Sequence, residues 1–128
     1  MIRVSVKKPS NYPVSIKKIK KSLSTLLEQR GIVSRAEASV ALVGEKTMLD
    51  LAKKYLKDNK VHSVLSFPAS EVKKKFIYPA DDVIRLGEIV VCYPKAVEEA
   101  KEEGKLIETK IEELIEHGAL HLIGIHHE

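Results

Sequence analysis

Four of the five histidines in this 128-residue chain stand in its last twelve residues, as His117-Gly-Ala-Leu-His121-Leu-Ile-Gly124-Ile-His126-His127. Imidazole binds metal ions and carries protons near neutral pH. His117 and His121 are four apart, so a helix places them on one face, one turn apart. Two rings so placed reach one metal ion. Gly124 then turns the chain out of the helix, because glycine adopts a positive φ without penalty. His127 returns as a third ligand. His126 is the rival of His127: it ligates instead, supports the ligands from behind, or faces solvent.

Ligand type favours one Zn²⁺ ion, since imidazole suits zinc and three protein ligands leave a fourth position for water. Nickel, cobalt and iron accept the same donors. A purely structural histidine cluster is the competing reading. The spacing is similar to that of the metzincin zinc site, in which a glutamate follows the first histidine as general base. Here that position is Gly118, which speaks for a zinc centre and against an ordinary zinc protease. A base must then come from elsewhere, and Glu88, His62 and His126 are the candidates. Glu88 is the first to test for a catalytic role.

The composition bounds what surrounds this centre. A chain of this length is one domain, residues 1–128, with enough substance for a core without staples. Its single cysteine, Cys92, forms no intramolecular disulfide, which suits a reducing compartment. Cys92 follows the apolar run Ile89-Val90-Val91 and reads as a small buried residue, with a fourth-ligand role as the alternative. No secretory leader is evident at the N-terminus and no apolar run spans a membrane, so a soluble cytoplasmic protein is expected. The net charge of +4 is unevenly spread. Residues 1–80 carry 17 Lys+Arg against 6 Asp+Glu, and residues 81–128 carry 5 against 12. A basic part joined to an acidic, histidine-bearing end suggests a polyanionic partner, set against ordinary solvated lysine. Aromatic content of 5% with no tryptophan argues against a wide base-stacking platform, so phosphate contacts should dominate.

The elements that must position these residues follow from periodicity. Residues 2–6 alternate and read as a strand. From Val14 to about Arg30, Ile16, Ile19, Leu23, Leu26 and Leu27 fall at helical spacing, with lysines 17, 18, 20 and 21 around the rest. Residues 38–43 read as a second strand. The helix after Gly44 should turn Met48, Leu51, Ala52 and Tyr55 inward. Residues 63–67 form a short strand ended by Pro68, and residues 68–85, with Lys73-Lys74-Lys75, read as a surface loop or hairpin. Residues 86–91 form a fourth strand. Pro94 opens a helix to about Glu103, and residues 109–122 form the helix carrying His117 and His121, held to the sheet by Leu114, Ile115, Leu120 and Leu122. The order predicts an α+β fold, a sheet packed with helices.

These residues also carry a resemblance. The terminal H-G-A-L-H-L-I-G-I-H-H resembles the H-G-x-L-H-L-x-G-Y-D-H signature of the YbeY family of bacterial ribosomal-RNA maturation factors and endoribonucleases. Leu51-x-x-x-Tyr55 with Ser63-Val64-Leu65-Ser66-Phe67-Pro68 is similar to the family's L-N-x-x-Y-R and D-V-L-S-F-P block, and Leu86-Gly87-Glu88-Ile89-Val90 to its L-G-D-I-V strand. The resemblance implies His117, His121 and His127 as zinc ligands, and a metzincin-like metal helix at the C-terminus against a mixed sheet of about four strands. It also implies maturation of the small-subunit ribosomal RNA 3′ end and contact with the small ribosomal subunit and its proteins. Three positions depart from the pattern. Leu56 replaces the family's arginine, His126 replaces an aspartate, and Val61-His62 replaces proline-threonine. Leucine offers no planar fork for phosphate, so Lys53, Lys54 and Lys57 beside it are the candidate RNA contacts.

The leading expectation is therefore a zinc-dependent single-strand endoribonuclease in ribosome biogenesis. The competing ones are a non-catalytic, zinc-stabilised assembly or RNA-binding factor, and a metallopeptidase.

Overall fold

Alternation builds the sheet. In strand β2 (Ala36–Val43) Ala36, Ala38, Val40 and Leu42 are buried, and the residues between them are half-buried. Strand β1 (Ile2–Lys7) runs parallel beside it, with Ile2 opposite Ala36 and Lys7 opposite Ala41. Strand β4 (Ile84–Cys92) lies parallel on the other side of β2, and β3 (Val64–Pro68) pairs antiparallel with β4. The order is β1-β2-β4-β3, a mixed four-stranded sheet. The computed structural model describes residues 2–32, 35–69 and 83–124. The α+β class and the four strands agree with the sequence. The loop or hairpin expected over 68–85, with Lys73-Lys74-Lys75, falls mainly on residues 70–82, which lie outside the described residues. At its ends the structure differs from expectation. Pro68 closes β3 instead of following it, which an outermost strand tolerates because one side of its backbone needs no partner. Strand β4 starts two residues early, at Ile84.

The two faces of the sheet carry different loads. On one, Val4, Ala38, Val40, Leu42, Ile89 and Val91 form a core with residues from three helices. Helix α1 (Ile16–Gln29) contributes Ile19, Leu23 and Leu27, spaced four apart along one stripe. Ser15 caps it, its hydroxyl accepting the Lys18 amide at 3.1 Å. Helix α3 (Tyr93–Glu103) begins with Pro94 in its first turn and ends at Gly104, φ 68°. Helix α4 (Ile107–Leu122) lays Ile111, Leu114, Ile115 and Ala119 on the same core, while Leu122 packs at its margin.

The opposite face is covered in part. Helix α2 (Glu45–Leu51) places Met48 on Val90 and Cys92 with Leu65 and Phe67 around them. Toward β1 that face is polar, with Arg3, Ser5 and Lys7 exposed. The parallel β1–β2 edge is thus wetted on this face, which sets this mixed sheet apart from all-parallel sheets covered on both faces.

The helix after Gly44 departs from expectation. Met48 and Ala52 are buried as the spacing requires, but Tyr55 is 54% exposed and does not turn inward. The cause is local. Beyond α2 the chain widens into a π-helical turn (Ala52–Leu56) that ends at Lys57, φ 59°, whose amide donates to the Ala52 carbonyl. A π turn adds a residue per hydrogen-bonded ring and breaks the 3.6-residue period, so the next apolar position rotates off the buried face.

Candidate metal centre and its surroundings

His117 and His121 stand on the last two turns of α4, which places both rings on one face. The ring centroids are 4.6 Å apart with planes 47° to one another. His117 is exposed and His121 half-buried. Gly124, φ 79°, donates its amide to the His121 carbonyl at 3.1 Å and turns the chain at the helix end. Two imidazoles in this relation suit a shared metal ion by type and spacing. Among the described residues no group of three His, Cys, Asp or Glu side chains gathers at one point. His126 and His127, the further ligand candidates, lie outside the described residues.

Gly118 has a structural reason that the sequence alone did not reveal. A Cβ there would stand 2.7 Å from Ile89 Cγ2 and 3.2 Å from Cγ1. Ile89 is fully buried in the centre of β4. Glycine therefore lets the histidine helix rest directly on the sheet, and a glutamate side chain at this position has no room.

The general-base candidates scatter. Glu88 lies on β4 between Ser39 of β2 and Phe67 of β3. Ile89 points toward α4, so alternation turns Glu88 to the other face, with Val90 and Phe67. The structure thus sets the sheet between Glu88 and the histidine pair. A bulge precedes it, since Glu37 pairs with Arg85 while the adjacent Ala38 pairs with Gly87. Gly87, φ 132°, lets β4 approach β3 where any Cβ would meet the Phe67 carbonyl. His62 has a partner of its own: Asp58 Oδ2 lies 3.1 Å from its Nε2 and Oδ1 3.3 Å. The Lys60 amide donates to Asp58 Oδ1 at 3.2 Å. That backbone bond, with His62 beside it, holds the Asp58 carboxyl below its ordinary value. Cys92 is fully buried against Met48 and Val90, away from α4, and burial pushes its thiol pKa up. This is the small apolar role expected of it.

The lysine candidates form a separate group. Lys53, Lys54 and Lys57 are all exposed on the π-helical turn or at its end. Lys54 Nζ stands 5.3 Å from the centre of the Tyr55 ring. Tyr55 meets Phe67 edge-on, with centroids 5.1 Å apart. Leu56, in the place of the family arginine, is 45% exposed. Sequence reasoning missed Phe67 beside Tyr55, a contact that depends on how β3 is placed, and Asp58 beside His62, a local contact four residues apart.

Fold and site together define a class: a small α+β domain whose last helix presents a histidine pair beside the outer strand of a mixed sheet. The family model for Endoribonuclease YbeY matches residues 5–128. The chain belongs to the YbeY family. Among its relatives, Endoribonuclease YbeY of Acinetobacter baumannii is 34% identical over 110 residues, covering 86% of this chain and 68% of the relative. That of Macrococcus caseolyticus is 35% identical over 109 residues, covering 85% and 70%. The solution structure of TM1509 from Thermotoga maritima matches all of this chain and 75% of its own, with a TM-score of 0.58 and 27% identity. No described helix is long and apolar enough to cross a membrane.

Proposed function

We propose that this protein is a zinc-dependent endoribonuclease that cuts single-stranded ribosomal RNA, at the small-subunit 3′ end, in the cytoplasm and in contact with the small subunit and its proteins. The observation that carries the metal reading is the His117–His121 pair, two rings 4.6 Å apart on one helix face. Membership of the YbeY family supplies the substrate class. His117 and His121 would hold one zinc ion with His127, and His126 would stand behind them. Zinc bound there supplies Lewis acidity toward a phosphoryl oxygen and a water. Lysines of the basic part hold the phosphate backbone, Lys53, Lys54 and Lys57 among them. Proton transfer would fall to a histidine, His126 or His62, because Glu88 lies across the sheet, and the attacking oxygen would be that of a water or of the RNA 2′-hydroxyl.

The test is cleavage of a single-stranded RNA carrying a small-subunit precursor 3′ end. Zinc-loaded protein is compared with a His117→Ala/His121→Ala variant purified identically. Cutting by the first alone, abolished by a chelator, is expected. Equal cutting by both would trace the activity to a contaminant. A 2′,3′-cyclic phosphate on the product marks internal attack, and a 5′-phosphate marks attack by water.

One observation favours a second reading. Leu56 leaves the position of the family arginine without a phosphate ligand. A non-catalytic assembly factor would bind RNA without cutting it, and Leu56→Arg would then be the substitution that restores cleavage. The metallopeptidase reading loses ground on Gly118, since the residue that would be its base has no space there.

A further inference from the structure

Tyr55 is the most exposed aromatic side chain among the described residues, and its position is built. The π-helical turn rotates it off the core, and the edge contact with Phe67, planes at 61°, fixes its tilt. The contact with Phe67 uses one edge of the ring, and the half left in solvent gains nothing for folding. Lys54 stands 5.3 Å from its centre, Lys53 and Lys57 flank it on the same turn and Lys60 follows in the chain, none with an ion pair among the described residues. The carboxylate between them, Asp58, is already engaged by His62 and the Lys60 amide. A rigid ring among unpaired lysines is complementary to one ligand chemistry: an unstacked base on a phosphate chain.

From this geometry we propose that Tyr55 is a stacking subsite for one base of single-stranded RNA, with Lys53, Lys54 and Lys57 on the flanking phosphates. This rests on the ribonuclease reading and names a contact for it. The ring has two faces, so a base takes one while the Lys54 ammonium stays near the other or moves to a phosphate. The placement also gives a path. Phe67, which orients Tyr55, follows Ser66 in β3, and Ser66 pairs with Ile89, on which Gly118 rests. No described strand pairs with the outer side of β3. An RNA strand crossing that side passes from Tyr55 to His117. The subsite would thereby supply a grip that leucine at position 56 does not.

The chain has no tryptophan, so Tyr55→Trp creates a unique reporter. The ligand is a 2′-O-methyl oligouridine of about twelve residues, long enough to cover one single-strand site. Its methylated 2′-oxygen rules out internal attack, and uridine leaves its bases unstacked. Its binding should quench the tryptophan emission of the Tyr55→Trp variant, whereas inorganic polyphosphate, which lacks bases, should bind the lysines without quenching. Tyr55→Phe should keep the wild-type affinity. Tyr55→Leu, which keeps an apolar contact with Phe67, should weaken binding about tenfold, within the range measured for loss of one stacked base. Matching urea midpoints for the variants show that the fold is intact. Equal affinity of Tyr55→Leu and wild type would overturn the subsite and point to an apolar protein partner for this ring. So would equal quenching by polyphosphate. In either case RNA cleavage by the wild type would still uphold the ribonuclease reading, while failure of the wild type to bind the oligonucleotide would overturn both.

Discussion

Gly118 separates the two demands that meet on the histidine helix. The rings of His117 and His121 must project outward, while the backbone beside them must lie against Ile89. A Cβ at 118 comes within 2.7 Å of Ile89 Cγ2, and Ile89 is fully buried with no free direction to yield. Overpacking of this kind costs about 1–3 kcal/mol. Alanine's better helix propensity returns about 1 kcal/mol. Gly118→Ala should therefore lower stability by about 1 kcal/mol, read as a lower urea midpoint. In an Ile89→Ala background the same change should be neutral or stabilising, because the clashing methyl is gone. An equal loss in both backgrounds would mean that the glycine serves something other than this contact. The sequence showed the absence of a glutamate at this position but not why it is absent, since clearance between a helix and a sheet has no periodic signature.

Elements with an unbroken period were readable. Helix α1 and strands β1 and β2 stand within two residues of their expected limits because one face of each is uniformly apolar. Tyr55 was misplaced because the π turn changes the period inside a single amphipathic segment. The strand order was not readable either: β4 inserts between β2 and β3, and alternation along it turns Glu88 away from the face that Ile89 presents to the histidine helix. Lys110 shows a third limit. It lies on the packed side of α4, only 9% exposed, in a position where its charge predicts a solvated face. Its Nζ reaches Glu103 at 2.9 Å, Glu99 at 3.6 Å and Glu113 at 3.8 Å. Lys105 bonds Glu113 at 2.8 Å and Glu103 at 3.2 Å, so five side chains clamp α3 to α4. The bonds from Lys110 and Lys105 hold the Glu103 carboxyl below its ordinary value, and those from Glu103 and Glu113 raise Lys110 and Lys105 above theirs. A lowered carboxyl contributes stability that is complete above its unfolded value near 4.5 and is lost as pH falls through the lower folded value. The raised lysines contribute below about pH 10 and lose it as pH rises beyond. Lys110→Met should lower the urea midpoint at pH 7, with the gap narrowing toward pH 3 as Glu103 is protonated through its lowered folded value. A gap that persists at pH 3 would assign the effect to packing of the lysine stem.

The molecule as a whole divides its charge, with excess lysine before residue 81 and excess carboxylate after it. The fold makes this division matter. Half of the carboxylates on α3 and α4, Glu98, Glu99, Glu103 and Glu113, pair with lysines of these helices or of the turn between them, and Glu108 takes Lys18 from α1. The π-helical turn keeps its lysines free of ion pairs among the described residues, on the side of the sheet that α2 covers. A polyanion should therefore be held there by counterion release, and not by the charge of the chain at large. For single strands each neutralised phosphate contributes about 0.7 to the slope of log Kobs against log salt. Lys53→Gln/Lys57→Gln should reduce that slope by about 1.4. Lys101→Gln, at the end of α3 in the acidic part, should leave it unchanged, although it removes a full charge from the same protein. Affinities measured from about 50 to 200 mM salt separate the two cases. Equal slope changes per lysine would show that net charge and not the surface around Tyr55 holds the RNA. A loss confined to the π-turn lysines would tie the uneven charge in the sequence to one surface beside the outer strand, across its edge from the helix that carries His117 and His121.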